Sequence, residues 1–449
     1  MLVLATSGCT RTALVLAVPD GAQACSGPVT GSDTRPDAAA ATGHDTLPDL
    51  ARTDTGTAGS ASPDAAAERF ADGMTSADRP DTADGFSERP DASTFGQFVA
   101  DAGSVANNWG INPAHDNAQP DDVVASPLTK KWTAHFTGTA SYPVVADGRV
   151  FVAAAESQPN VRALDVQTGA VLWGPLAIGS KVWLACDAVN LYALDGDGNL
   201  SALDVTSGHT NWATKLTLQM FYDSPPVAAA GSVFVDGMES GGTTYAIDAA
   251  TGKTRWTADT FDGSDGTVAV VDNVVYEAEA CGQVSAFDLM TGKRNWFHSG
   301  ACTGGGGSTP AVAGGRIWVR DWAEGNIILD LAGNAVGTFS VDVPPSLHDG
   351  TAFYVKSQTL TAIDIASNLI KWSFAGDKKL CTSAVIAGGG GQVFCASSVG
   401  NVYEVDESSG AQISVDVAGS TVSCGSETQG MAVAQNHLFV PAGNDLVVY

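Results

Sequence analysis

The sequence predicts an all-β chain, an eight-bladed β-propeller of four-stranded blades, and three observations carry that prediction. An eleven-residue phrase recurs in register: ALDVQTGAVLW at 163–173, ALDVTSGHTNW at 202–212, AIDAATGKTRW at 246–256, AFDLMTGKRNW at 286–296 and AIDIASNLIKW at 362–372. Trp132, Trp173, Trp212, Trp256, Trp296 and Trp372 follow one another at intervals of about 40 residues with one double interval, the length of a propeller blade. The same region alternates apolar residues with turns and has no helical hydrophobic period, whereas solenoid repeats of similar length are helical.

Each phrase reads as the end of one strand, a tight turn and the start of the next. The Asp side chain can accept backbone N–H groups two residues on, the Thr hydroxyl can do likewise, and Gly169, Gly208, Gly252 and Gly292 supply a positive φ. Asn368 stands where a fifth glycine is expected. The tryptophan four residues after the glycine lies on the returning strand, and its fixed place makes it a packing device between blades.

In chain order, Asn108 to Asp116 introduces the ordered part, with Trp109 as a packing anchor. Leu128 to Phe136 carries Trp132 with no turn phrase before it, so it reads as a fourth strand without its first three. Four clear units end at Trp173, Trp212, Trp256 and Trp296. A fifth, Pro310 to Thr338, keeps Asp330 and Gly333 but has no tryptophan at its end; a sixth ends at Trp372; a seventh keeps Asp406 and Gly410 and has Ser414 in the tryptophan place. The last residues, from Gly430 to Tyr449, supply three strands. The lone amino-terminal strand completes this last blade, closes the ring and removes two exposed sheet edges.

With strands such as YPVVADGRVFVAA before it, the phrase resembles the pyrroloquinoline-quinone (PQQ)-type propeller repeat, BamB-like in its repeat style, over about three-quarters of the chain. The resemblance implies the fold. It leaves open a quinoprotein dehydrogenase or a non-enzymatic binding protein, because function rests on sites grafted onto a fold. In the dehydrogenases of that family a quinone stacks between a tryptophan and a disulfide of adjacent cysteines, beside a calcium held by Glu, Asn and a catalytic Asp. This sequence has no adjacent cysteine pair and no long insertions between units.

Before the propeller, residues 1–27 offer Arg11, a short apolar run, and Ala22-Gln23-Ala24 ahead of Cys25, which reads as a secretory signal with Cys25 as a lipidation site; Cys9 is a rival. Residues 28–104 are rich in Asp, Ala, Thr, Pro and Ser with few large apolar residues, the composition of a disordered acidic tether. The propeller domain is then 105–449. With 49 acidic against 22 basic residues the net charge is −27, which argues against a nucleic-acid partner or an anionic membrane surface. A membrane is reached only through the lipid anchor.

Motifs of enzymatic or metal chemistry are weak. Asp195-Gly-Asp197-Gly-Asn199 begins like a calcium loop but lacks the rest and reads as a hairpin turn. Gly304 to Gly307, with Ser308 and Thr309, is followed by no helix and preceded by no phosphate-binding lysine. The seven histidines have no metal-ligand spacing. Strand geometry brings Cys281 and Cys302 to one face, where they form a disulfide; Cys381 and Cys424 form a second candidate pair, and Cys186 and Cys395 are buried thiols. The loops where inner strands start, with Tyr142, Asp223, Ser308, His348 and Gln429, surround the channel.

The expectation is an exported, monomeric, non-enzymatic scaffold of the cell envelope (periplasm, outer membrane or cell surface), with no cofactor and no metal, that binds an unidentified protein. The alternatives are a PQQ-dependent dehydrogenase and a propeller that binds carbohydrate or another small ligand.

Overall fold

Short alternating segments such as RVFVA and VRALD form strands because one face of each can be buried against a neighbouring sheet while the backbone pairs laterally. The computed structural model describes Leu2–Val3, Val15–Leu16 and residues 104–449, except 157–159, 180, 239–240, 301–306, 322–324, 423 and 425–428. The chain divides into two units, Met1–Gly85 and Phe86–Tyr449. In the first, Leu2–Val3 pairs antiparallel with Val15–Leu16. The rest of the candidate leader, Cys25 and the linker 28–103 lie outside the described residues.

The second unit is an eight-bladed propeller of four-stranded antiparallel sheets. In chain order the blades are blade 1 (144–176), blade 2 (182–215), blade 3 (227–259), blade 4 (269–298), blade 5 (311–338), blade 6 (346–374), blade 7 (385–417) and blade 8 (432–448 with 132–135). The first strands of successive blades touch one another around a complete circuit, blade 8 back to blade 1, and so line the channel. Trp132–His135 pairs with Asp445–Val448 as the outer strand of blade 8, the closure that its missing partners predict. A short parallel strand, Ala118–Gln119, lies on the inner edge of blade 7. Among the described residues no helix is long and apolar enough to cross a membrane.

The repeat phrase explains how blades adhere. In the turns the Asp oxygen accepts from backbone and, where Thr or Ser follows, from hydroxyl: Asp165 Oδ1 takes Thr168 N–H at 2.8 Å and Thr168 Oγ1 at 2.7 Å, and the hydroxyl holds its carboxyl below the usual range. The tryptophan ring then lies on the turn glycine of the next blade. A Cβ added to Gly169, Gly208, Gly252, Gly292, Gly333 or Gly410 would sit 2.5–2.8 Å from the ring of Trp132, Trp173, Trp212, Trp256, Trp296 or Trp372 respectively. Each indole Nε1 donates to the carbonyl just after the turn Asp of that next blade: Val166, Val205, Ala249, Leu289, Leu331 and Glu407, at 2.8–3.0 Å. Across its own sheet the tryptophan faces the alanine that opens the phrase, as in Ala202 with Trp212 and Ala246 with Trp256. A larger residue there would compete for the ring's space.

Cys381 and Cys424 form a disulfide with Cα atoms 5.1 Å apart. Cys281 is also disulfide-bonded; its expected partner, Cys302, lies outside the described residues. Cys186 and Cys395 are buried free thiols whose pKa values burial pushes up.

Candidate binding site: the channel and its loop face

A propeller channel presents the inner edges of its blades, each with unpaired backbone N–H groups that need partners once water is excluded. Here one stretch, 104–119, supplies them in order around the ring. Ser104 Oγ accepts from Gln435 N–H beside the inner strand of blade 8 at 2.6 Å. Ala106 and Val145 of blade 1 exchange two backbone bonds, at 2.9 and 2.7 Å, and Asn107 O accepts from Cys186 N–H of blade 2 at 2.8 Å. The Asn108 amide clamps Ala228 of blade 3, accepting its N–H at 2.8 Å and donating to its carbonyl at 3.3 Å. Pro113 O takes Val270 N–H of blade 4, Ala114 O takes Val312 N–H of blade 5, Asp116 O takes Leu347 N–H of blade 6 and Asn117 O takes Ile386 N–H of blade 7, at 2.7–3.0 Å. Gln119 Nε2 then returns to Val105 O at 2.7 Å and closes the circuit.

Several side chains of this hub, Asn108, Trp109, Ile111, His115 and Asn117, are buried. Trp109 is buried and donates to Gln429 O at 3.2 Å. Both ring nitrogens of buried His115 face carbonyls, Trp109 O at 2.7 Å and Val268 O at 2.8 Å. A neutral imidazole donates to only one of them. Burial wins over the two carbonyls and holds its pKa below the ordinary value. Burial likewise raises that of Asp116, whose Oδ1 accepts from Asn112 Nδ2 at 2.6 Å and Ala118 N–H at 2.9 Å. Ile111, His115 and Asn117 all have positive φ, at 77°, 56° and 58°. For the β-branched Ile111 that is a strained conformation, imposed by its surroundings.

Beside the hub, the described residues line a cavity of about 30 Å³, Trp109, Tyr142, Pro344, Thr382 and Gln429 among them. It has room for about two water molecules. Tyr142, buried, both donates to Leu184 O at 2.6 Å and accepts Leu184 N–H at 2.7 Å. Of the other residues expected around the channel, Asp223 pairs with Lys181 near the surface and Ser308 is buried, donating to Arg320 O at 2.6 Å. His348 corrects the expectation. The inner strand of blade 6 is Ser346–His348, so His348 ends it rather than precedes it, because the Asp349-Gly350 turn follows at once; its Nδ1 meets Glu407 Oε1 of the next blade at 2.7 Å.

Asp195 behaves as a turn residue, its Oδ1 accepting the N–H groups of Asp197 and Asn199 at 3.0 and 2.8 Å. Among the described residues no group of three His, Cys, Asp or Glu is placed to hold a metal. Away from the channel, Asp236 and Glu277 are buried carboxyls in blades 3 and 4; burial first, then the negative charge of Glu279, pushes Asp236 up to about 7 and Glu277 well above its ordinary value.

The loops between blades lie on the same face as the cavity, and two of them expose large apolar side chains. Leu218, Met220 and Phe221 between blades 2 and 3 are 57 %, 66 % and 58 % exposed, and Phe261 between blades 3 and 4 is 55 % exposed. Both loops flank one hairpin of blade 3: Gln219 Nε2 donates to Gly241 O at 3.2 Å, and Thr260 N–H to Gly242 O at 3.0 Å. Phe261 is backed by Phe297, ring centroids 4.3 Å apart, and by the guanidinium of Arg294 at 4.6 Å.

Residues 125–298 match the family model of the outer membrane protein assembly factor BamB. No curated protein sequence matches the chain. Among solved structures it is similar to BamB from Moraxella catarrhalis, at 17 % identity over 72 % of this chain and 99 % of that one, with a TM-score of 0.57. It is also similar to the quinohemoprotein alcohol dehydrogenase from Comamonas testosteroni, at 15 % identity over 77 % and 80 %, TM-score 0.60. A third likeness is to the computationally designed protein Ika8, at 14 % identity over 73 % and 99 %, TM-score 0.59. At these identities the structural likenesses speak for the fold alone. The repeat phrase and the eight-bladed ring make the chain a β-propeller, and its residues 125–298 match the PQQ-like repeats of the BamB family model.

Proposed function

We propose that this protein is a non-enzymatic, monomeric scaffold of the cell envelope, exported and held there through Cys25, that binds a protein partner on the loop face of blades 2 to 4. The observation that carries the reading is the exposed group Leu218, Met220, Phe221 and Phe261 around one hairpin. Large apolar side chains gathered on exposed loops are a hallmark of protein-binding surfaces, and an aromatic anchor with a rigid backing is the kind of residue that dominates their affinity. Phe261, braced by Phe297 and Arg294, is such an anchor.

The residues of the channel do not fit a quinone cofactor. The described cavity of about 30 Å³ is far smaller than the roughly 300 Å³ or more of a cofactor-sized site. Trp109 is committed to Gln429 and His115 rather than offering a free face opposite a disulfide of adjacent cysteines. The same volume disfavours a carbohydrate within the channel.

The test is chemical crosslinking in envelope extracts with the full chain and with a Met220→Ser, Phe221→Ser, Phe261→Ser variant. Loss of a discrete crosslinked partner in the variant, at unchanged melting temperature, is the expected result. The same partners at the same yield would remove this face from consideration. Saturable PQQ binding with dye reduction by alcohols would replace the scaffold with an enzyme.

A further inference from the structure

We propose that the channel is a peptide-binding site and that residues 104–119 are its ligand, bound in cis. The contacts have the form of recognition of a peptide segment by a receptor. At six of the eight blades a backbone carbonyl of the segment accepts a backbone N–H at the inner edge, at blades 8 and 3 a side chain does so, and the blades are met in spatial order, 8, 1, 2, 3, 4, 5, 6, 7. Main-chain bonds of this kind give affinity, and side chains then set register. Asn108 sets it at blade 3 with two bonds to Ala228, His115 at blade 4 through Val268, and Asn117 at the approach to blade 6 through its amide to Pro345 O at 3.2 Å.

Two features separate this segment from an ordinary part of the core. It holds Ile111, His115 and Asn117 in the left-handed region, with Gly110 between Trp109 and Ile111 also at φ 68°, a run that a free chain adopts only when its surroundings impose it. And the chain leaves the hub through a stretch in which Val123, Ala125 and Ser126 are exposed while Asp122 and Val124 are buried, Val124 exchanging two bonds with the Gln392 amide, before it joins the outer strand of blade 8. The segment is therefore tied covalently to the ring through a partly exposed connection at its carboxyl end. The chemistry recognised is a looped peptide rich in carboxamides, with a buried indole that lines the channel cavity and one carboxylate, Asp116, turned back on its own backbone.

A protease site inserted between Ala125 and Ser126 of the full chain tests the assignment. After cleavage, the amino-terminal fragment should co-elute with a propeller of unchanged circular dichroism. A labelled synthetic peptide of residues 104–122 should then exchange into the nicked protein saturably. The same peptide with Asn108→Ala, which loses two buried bonds, should bind about tenfold more weakly. A peptide of reversed sequence should not bind. Dissociation of the fragment with no uptake of peptide would overturn the proposal. So would unfolding or aggregation on cleavage, or a fragment that never exchanges, since each makes the segment integral core rather than ligand.

Discussion

Six junctions between blades carry a tryptophan and two do not, and the chain changes several residues together where the tryptophan is missing. At the six, indole, turn glycine and accepting carbonyl come as a set. Between blades 5 and 6 the outer strand has Gly337 in the tryptophan place, its cross-strand neighbour is Ile328 instead of alanine, and the next turn carries Asn368 at φ 56°. With no ring above it, that turn tolerates a Cβ. The orphaned carbonyl of Ile365 is taken instead by Arg316 Nη1 at 2.8 Å, a donor from a different strand. Between blades 7 and 8 there is no turn phrase to dock on, because blade 8 joins the two ends of the chain. Ser414 fills the tryptophan place, donates to Glu404 across its sheet at 2.6 Å and accepts the N–H of Leu128 at 3.0 Å, holding the incoming closure segment. The glycine of the repeat is thus a property of the junction rather than of the turn.

The comparison can be broken most forcefully at blades 3 and 4. Trp256, 8 % exposed, loses its ring and its bond to Leu289 in Trp256→Ala, at an expected cost of about 3–5 kcal/mol by chemical denaturation. Gly292→Ala alone should cost about 3 kcal/mol, from the left-handed backbone and the collision with that ring, and only about 1–2 kcal/mol in the Trp256→Ala background, where the backbone term alone remains. Strict additivity of the two would show that the glycine answers to its own turn and not to its neighbour.

A smaller effect sharpens the contrast at blades 5 and 6. Arg316→Ala should destabilise by about 1–2 kcal/mol, since it leaves the Ile365 carbonyl without its charged donor. An arginine that merely decorates the surface would move the denaturation midpoint hardly at all. Smallest is Asn368→Gly, expected within about 0.5 kcal/mol of the parent, because asparagine already accepts the left-handed region. A gain well above 1 kcal/mol there would mean that Asn368 is held under strain and that the missing tryptophan does not account for it.

The blade count and the closure were legible because both are written in periodicity. Each unit repeats alternation, turn and tryptophan, and Trp132 without three strands before it points to a blade without its fourth. The absent tryptophan of blade 5 and the Asn368 of blade 6 were both readable as departures, but their coupling was not, since it lies across a junction between residues about 30 apart in different units. The hub 104–119 left no trace of this kind. It meets six of the eight blades through backbone carbonyls, which every residue possesses, and its left-handed Ile111 and His115 carry no sequence signal. Only its density of Asn, His and Trp beside a Gly set it apart, and that reads as an anchor rather than as a circuit. His348 went astray for a local reason: a three-residue inner strand is too short for alternation to locate its start.

The circular path of the hub also decides how the domain would bear load. A pull on Ser104 would reach the blades one at a time, releasing Gln435 of blade 8, then Val145 of blade 1, then Cys186 and Ala228, as a zip fastener opens. A pull on the outer strand Trp132–His135 instead meets four paired residues and a docked indole in one place. The same amino-terminal stretch thus offers a compliant grip at its beginning and a stiff one some thirty residues later, and tension from that end would be spent in small steps at the centre before it reached the seam of the ring.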